Sequence, residues 1–413
     1  MRLFLLAISA FFIVSTPAFS QAQEPTVILI SLDGFKYDYV ERFKPENISK
    51  FIAEGTQAKS MISSFPSKTF PNHYTIATGM RPERHGIVDN TFYNPKKDQV
   101  YAIGNRELVT DGSWYGGTPL WVLAEQNGIK AASYFFVGSE AAIQGVRPSY
   151  YYDYDGRVNN LTRISKAFEW LQMPDSIRPR MITMYFSDMD DIGHRYGPSN
   201  EEQIGKRLKK LDAELGALFE GVESLDKNVT IILVSDHGMI DVTLENRILL
   251  DQLIEGIDAR IVNSGALAHI YLKNPSEKES VYKKLKAKKG NFKIVDPEEL
   301  EYYKDLSAYG DRIGDLIILA EGGYYLANDQ AYLDVVARRM QMDGSTARGE
   351  HGFDPHEKDM HAIFYAKGPQ IKSGLTIESF DNIHVYPLIC TILGLPIPSD
   401  IDGKAEVLQP ILK

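Results

Sequence analysis

Two kinds of hydrophobic run alternate along this chain. Short unbroken ones, in TVILISLD, MITMYFSDMDDIGH and VTIILVSDH, read as strands buried on both faces. Lys130–Phe136 reads as a further strand, and Ala58–Ser64 as extended. Between them lie stretches with helical spacing. Glu201–Phe219 carries Ile204, Leu208, Leu211, Leu215 and Leu218 on one stripe. Tyr39–Glu54 reads as helix broken at Pro45, and Asn72–Thr78 starts another. Gly117–Asn127 follows, behind Thr118-Pro119 as cap and first turn. The alternation predicts an α/β fold whose mostly parallel sheet is covered by helices on both faces. From about Glu245 to Thr346 the character changes to AHIYLKN, a Lys-rich helix near Glu277–Lys289, FKIVDP and DLIILAE. This stretch predicts an inserted smaller lobe or a sheet extension. The main core resumes at Asp359–Tyr365 and closes with a helix near Val385–Leu393.

Composition changes the picture in three places. Arg2, the apolar run Leu3–Val14 and the small residues around Ala18-Phe19-Ser20 form a secretory signal pattern, so residues 1–22 are expected to be removed. The run is short for a bilayer span, and no stable membrane insertion is expected afterwards. The 45 Lys and Arg against 55 Asp and Glu argue against a broad nucleic-acid-binding surface. The single Cys390, in the apolar pattern YPLICTILGL, excludes an intramolecular disulfide framework and reads as a buried thiol. Export without disulfides points to a bacterial protein, periplasmic or secreted.

The chemistry gathers at strand ends. Asp33, then Asp190 with His194, then Asp236 with His237, each follow an apolar run, and His351 lies in the loop GEHGFDP before the last predicted strand. Ligands of open α/β sheets bind beyond the carboxyl ends of the strands, so these groups are expected on one rim. Three carboxylates and three imidazoles exceed what one zinc needs and suit a two-metal hydrolase. Asp190 and His194 are spaced for one helical turn, but Gly193 and Gly197-Pro198 favour a tight loop. Asp188 and Asp191 are close rivals. Asp236 and His237 reach one centre only if the strand turns into a loop; the plainer alternative is an N-cap aspartate beside a surface histidine. Gly349 and Gly352 let the chain turn at His351, whereas the rival His356 has Pro355 and Glu357 as neighbours. His73, His85, His269, His361 and His384 read as structural or surface residues, with His73 and His85 placed to support ligands. In SSFPSKTFPNHY, Thr69 stands before a helix start, where anions are favoured, and Lys68 adds positive charge. A threonine hydroxyl is a poor nucleophile unless a metal or base activates it.

Taken together, LDGF, SKTFPNHY, HGIVDNTFYNP, YFFVGSE, DxxGHxxGP, SDHGM and EHGFDP resemble the nucleotide pyrophosphatase/phosphodiesterases of the alkaline phosphatase superfamily. The resemblance runs from about Val27 to Leu408. It implies an alkaline-phosphatase-like catalytic domain over residues 24–413, with the inserted lobe at about 245–346. It implies two zinc ions, one on Asp190, His194 and His351, the other on Asp33, Asp236, His237 and Thr69. Thr69 is the implied nucleophile, through a phosphothreonine intermediate. Asn90 matches a donor to a phosphoryl oxygen, and Phe70 and Tyr154 match an aromatic pair that clamps a base. The implied reaction is hydrolysis of phosphodiester or pyrophosphate bonds in small-molecule nucleotides, releasing a nucleoside 5′-monophosphate. SDMD departs from the family's usual EEPD before the Gly-His pair, and the disulfides and flanking domains of many animal members are lacking. The alternatives are a lipid-headgroup phosphodiesterase and a phosphate monoesterase. The second wants extra cations, and the segment directly after YFFVGSE offers no Lys-x-Arg pair, only Arg147.

Overall fold

Alternate side chains of strand β1 (Thr26–Leu32) enter two different hydrophobic cores, and this sets the layering. Val27 and Leu29 join one core, and Ile28, Ile30 and Leu32 the other. The computed structural model describes residues 23–225 and 227–413; the expected signal segment lies outside them. Helices α1 (Tyr39–Phe43) and α2 (Glu46–Ala53) follow, split at Pro45 as the sequence predicts. Then come β2 (Thr56–Ala58), α3 (Thr69–Thr78), α4 (Leu120–Gln126), β3 (Ala131–Tyr134), β4 (Tyr150–Tyr152) and α5 (Asn160–Leu171). Strand β5 (Met181–Phe186), helices α6 (Asp188–Tyr196) and α7 (Glu201–Ser224) and strand β6 (Val229–Val234) follow. The region of changed character holds β7 (Ala259–Asn263), β8 (Leu267–Leu272), α8 (Lys278–Lys286), β9 (Phe292–Val295), β10 (Leu316–Ala320) and α9 (Gln330–Asp343). After it come β11 (Arg348–Glu350), β12 (Phe364–Lys367), β13 (Leu375–Ile377) and α10 (Val385–Leu393), with a last short helix at Ala405–Leu408.

The main sheet has eight strands in the order β13-β2-β12-β6-β1-β5-β3-β4. All its pairs are parallel except those of β12, which runs against both neighbours. Helices α3, α4 and α10 pack on the Val27 face, and α2, α5 and α7 on the Ile28 face. The predicted stripe of α7 is buried as expected, and the helix runs on to Ser224, adding Val222. Register places the functional strand ends level. Leu32 lies opposite Phe186, and Ser31 opposite Val234, so Asp33, α6 and Asp236 emerge at one edge. A second, four-stranded antiparallel sheet runs β7-β8-β10-β9. Ile270 and Ile318 from that sheet share a separate core with Val281 and Leu285 of α8 and Leu333 of α9. Cys390 is buried in α10, and burial pushes its thiol up to about 12.

Two differences from the sequence expectation concern helix starts. Helix α3 begins at Thr69 rather than Asn72, because Pro71 sits in the first turn, where its missing N–H costs nothing. Asp190 and His194 lie on helix α6, not in the tight loop that Gly193 suggests. Acidic Asp188, Asp190 and Asp191 in the first turn and His194 and Arg195 in the last match the helix dipole. Gly193 answers a packing need. A Cβ there would lie 2.5 Å from the Met239 sulfur, and a Cβ on Gly349 would lie 2.1 Å from the same atom.

Long-range polar contacts complete the frame. Helix α2 has Pro45 at its N-cap, which offers no side-chain acceptor. Asp212, buried on α7, serves instead: its carboxylate accepts from the Ile48 N–H at 2.8 Å and the Asn47 N–H at 3.1 Å. We expect Asp212→Ala to cost about 2 kcal/mol, read as a lowered denaturation midpoint at unchanged slope. Glu83, fully buried, accepts one bond from the Lys304 N–H at 3.0 Å, and burial pushes its carboxyl up to about 7. A raised folded-state value favours folding below the ordinary carboxylate range, and that contribution is lost as pH rises through about 7. The stability difference between wild type and Glu83→Gln is therefore expected to fall by about 2–3 kcal/mol from pH 4.5 to 8. Denaturant titrations across that range that run parallel would contradict it.

Candidate active site

Odd-numbered positions of β1 face α3, and this carries the alternation into the site. Ser31 Oγ lies 2.7 Å from His73 Nε2 on α3. Asp33, two residues on, reaches the same region as Thr69, the first residue of α3. Helix α6 follows β5 and brings Asp190 and His194, while the loop after β6 brings Asp236 and His237. His351 follows directly on β11.

The structure draws all of these residues together. His237 Nε2 lies 3.0 Å from Asp236 Oδ2, 3.6 Å from Asp33 Oδ1 and 3.3 Å from Thr69 Oγ1. His194 Nε2 lies 3.3 Å, and His351 Nε2 3.8 Å, from Asp190 Oδ1. The rings of His237 and His351 stack at 3.6 Å. Asp236 and His237 share the centre because the strand has already ended at Val234. The plainer reading, an N-cap beside a surface histidine, fails, since both side chains are fully buried.

The donor set asks for cations. Each imidazole gives its Nδ1 hydrogen to a backbone carbonyl: His194 to Gly349, His237 to Gly238 and His351 to Ser67, at 2.8–2.9 Å. A carbonyl only accepts, so Nδ1 is the donor in each ring and Nε2 is the nitrogen turned inward. Those inward nitrogens face carboxylate oxygens. Asp33 Oδ1, Asp190 Oδ1 and Asp236 Oδ2 are buried without any hydrogen-bond donor. Burial, Asp236 and Asp190 push the Asp33 carboxyl well above the usual carboxylate range. Burial, His237 and Lys68 hold His351 well below its ordinary value, which keeps the ring neutral. Carboxylate oxygens and inward imidazole nitrogens crowded in a buried space form a donor set for metal ions, and mixed imidazole and carboxylate donors suit zinc.

Neighbouring candidates separate cleanly. His73 comes within metal-ligand range of Asp33 and Asp236, but both its nitrogens are engaged: Nδ1 donates to the Thr69 carbonyl at 2.9 Å, and Nε2 accepts from Ser31. It holds the start of α3 instead. Asp188 binds Arg207 at 2.9 Å and the Asn160 amide, and Asp191 accepts from the Ser187 hydroxyl at 2.8 Å. His356 is 61% exposed and meets Tyr302 at 3.2 Å, so His351 is the inward histidine of its loop. Lys68 is buried, and its ammonium pairs with Glu350 at 3.1 Å. Asn90 Oδ1 accepts from the Phe70 N–H at 2.8 Å, which turns its Nδ2 hydrogens away from α3's backbone.

Residues 27–354 match the family model described as type I phosphodiesterase/nucleotide pyrophosphatase. The chain belongs to this family. It is 34% identical over 410 residues to ectonucleotide pyrophosphatase/phosphodiesterase family member 1 of Mus musculus, covering 95% of this chain and 43% of that protein. Venom phosphodiesterase CdcPDE of Crotalus durissus collilineatus is 33% identical over 407 residues, covering 95% and 47%. The chain thus spans less than half the length of these curated relatives. Among solved structures, murine ectonucleotide pyrophosphatase/phosphodiesterase 5 superposes with a TM-score of 0.84 at 26% identity, covering 94% of this chain and all of that one. That structure is of an inactive threonine-to-alanine form in complex with AMP.

In this member of the phosphodiesterase/pyrophosphatase family, a cavity of about 340 Å³ adjoins Thr69, Asp33 and Asp190. Phe70 and Tyr154 both line it, with Phe135 and Tyr185 set edge-on to the Tyr154 ring. Its wall also holds Arg106 and Glu140, paired with each other. Sequence reasoning missed this pair: Arg106 opens the short helix Arg106–Val109, Glu140 ends YFFVGSE, and the two meet only through folding. Arg147, the cation directly after YFFVGSE, donates to the Glu140 carbonyl at 2.8 Å and does not line the cavity.

Plasma mass spectrometry of the purified protein is expected to find about two zinc per chain, falling to about one or fewer in His351→Ala and Asp236→Ala. A wild-type protein that takes up no transition metal would remove the metal reading.

Proposed function

We propose that the protein hydrolyses phosphodiester or pyrophosphate bonds in nucleotides and their derivatives, releasing a nucleoside 5′-monophosphate. One observation carries the reading: a cavity walled by Phe70 and Tyr154 opens directly onto Thr69 and the buried carboxylate–imidazole cluster. An aromatic slot of that size has no use for a bare phosphate monoester, but it suits a base, and each stacking contact is worth about 1–3 kcal/mol. The family relationship supports the same reading.

Asp190, His194 and His351 would hold one zinc ion, and Asp33, Asp236, His237 and Thr69 the other. Bound zinc supplies positive charge to the phosphoryl oxygens and lowers the pKa of a coordinated hydroxyl. The rest falls to the chain itself. Phe70 and Tyr154 seat the base and so fix the distance from base to phosphorus. Thr69, at the amino end of a ten-residue helix, stands where the helix dipole favours an anion. Its Oγ1 attacks phosphorus and displaces the leaving oxygen. Water then cleaves the phosphothreonine, which frees the nucleoside monophosphate and restores Thr69. Asn90 Nδ2 donates to a non-bridging oxygen, a contact worth about 2–4 kcal/mol if it strengthens in the transition state. Buried Lys68 holds Glu350 beside the site and adds positive charge to the region. Export forms part of the proposal and rests on the Arg2–Ser20 pattern. No helix among the described residues is long and apolar enough to cross a membrane.

Zinc-loaded protein is expected to turn over the nitrophenyl ester of thymidine monophosphate at least about 100-fold faster than nitrophenyl phosphate, with the activity lost in Thr69→Ala. Preference for the monoester would shift the assignment to a phosphatase. Activity retained in Thr69→Ala would remove the named nucleophile.

A further inference from the structure

Asn90 follows a residue that is held with unusual completeness. Asp89 is fully buried, and both its oxygens are engaged. Oδ1 accepts from the Asn90 N–H at 2.5 Å and from the Ser264 hydroxyl at 2.7 Å. Oδ2 lies 2.9 Å from His269 Nε2. His269 is also fully buried, and its Nδ1 lies 2.8 Å from the Ile313 carbonyl. That carbonyl only accepts, so Nδ1 carries a hydrogen. Nε2 lies within hydrogen-bond distance of the Asp89 carboxylate, so the ring bridges that carboxylate and the Ile313 carbonyl.

The side-chain partners of Asp89 come from the second sheet. His269 lies within β8 and Ser264 in the turn between β7 and β8, and Ile313, which anchors His269, lies just before β10. The same turn reaches a second point near Thr69. Gly265 has φ +83°, and a Cβ on it would lie 2.9 Å from Glu350 Oε2, the carboxylate that pairs with Lys68. The second sheet therefore touches the chain immediately before Asn90 and the partner of the residue immediately before Thr69.

We propose that Asp89 and His269 are positioning residues that aim the Asn90 amide at the reacting phosphoryl group, making the second sheet part of the catalytic apparatus. The geometry divides the labour. The Phe70 N–H fixes which end of the amide faces α3, and Asp89 fixes the backbone from which the amide projects. The inference rests on the reading of Thr69 and Asn90 above.

A double-mutant cycle tests it. Zinc-loaded wild type, His269→Gln, Asn90→Ala and the double variant are assayed with the nitrophenyl ester of thymidine monophosphate and with nitrophenyl phosphate. His269→Gln is expected to lower kcat about 10-fold with KM changed less than about 2-fold, and to lower kcat less than about 2-fold when Asn90 is already alanine. Equal losses in both backgrounds would show that His269 supports the fold without acting through Asn90, and would overturn the proposal. So would no loss in either. Should His269→Gln fail to fold, the Ser264→Ala cycle is judged by the same criterion. Calorimetric titration of the four proteins with inorganic phosphate reads the coupling without turnover; additive losses of affinity again overturn it. Activity confined to the monoester would defeat the proposed substrate class while the coupling is still measured.

Discussion

Three carboxylates held against one another away from water are the constraint on which the rest of this structure depends. Asp33, Asp190 and Asp236 meet at one sheet edge because three parallel strands end level there, and each presents a buried oxygen with no donor. Such an arrangement is costly unless positive charge is brought to it. The surrounding chain is built to accept that charge. Backbone carbonyls take the Nδ1 hydrogens of His194, His237 and His351, so three Nε2 atoms are aimed inward. Helix α3 then sets its amino end, with Thr69, against the same point. The carboxylate–imidazole cluster, the Thr69 hydroxyl and the aromatic-walled cavity follow from one register.

Much of this was legible in the sequence, where local rules suffice. Unbroken apolar runs marked β1, β5 and β6, and the residues just after each run were the ones that converged. The stripe of α7 and the break at Pro45 were legible for the same reason: each is written within a few residues of itself. The failures have a common cause. Gly193 looked like a turn signal but makes room for Met239, which is distant in sequence. Asp212 caps a helix far upstream, and Arg106 meets Glu140 only across the cavity. His269 gave no local sign of its link to Asp89. Contacts between remote segments decide these cases, and composition or periodicity does not record them.

The main α/β layers place the buried carboxylates and imidazoles, Thr69 and the aromatic-walled cavity around one point. The second sheet adds to this frame: His269 and Ser264 grip Asp89, and the turn at Gly265 packs closely against Glu350.

The sulfur of Met239 links the ligand segments in another way. It fills the space between Gly193, next to His194, and Gly349, two residues before His351, and it lies two residues beyond His237 itself. Three stretches of chain that each carry an inward histidine therefore interlock through one thioether seated against two bare backbones. Such a joint cannot drift one residue at a time. A methyl group gained at Gly193 meets only the Met239 side chain and can be answered by a smaller residue at 239, whereas one at Gly349 also meets the Gly193 carbonyl oxygen at 2.6 Å, so across descendants of this chain positions 193 and 239 should covary while 349 stays glycine.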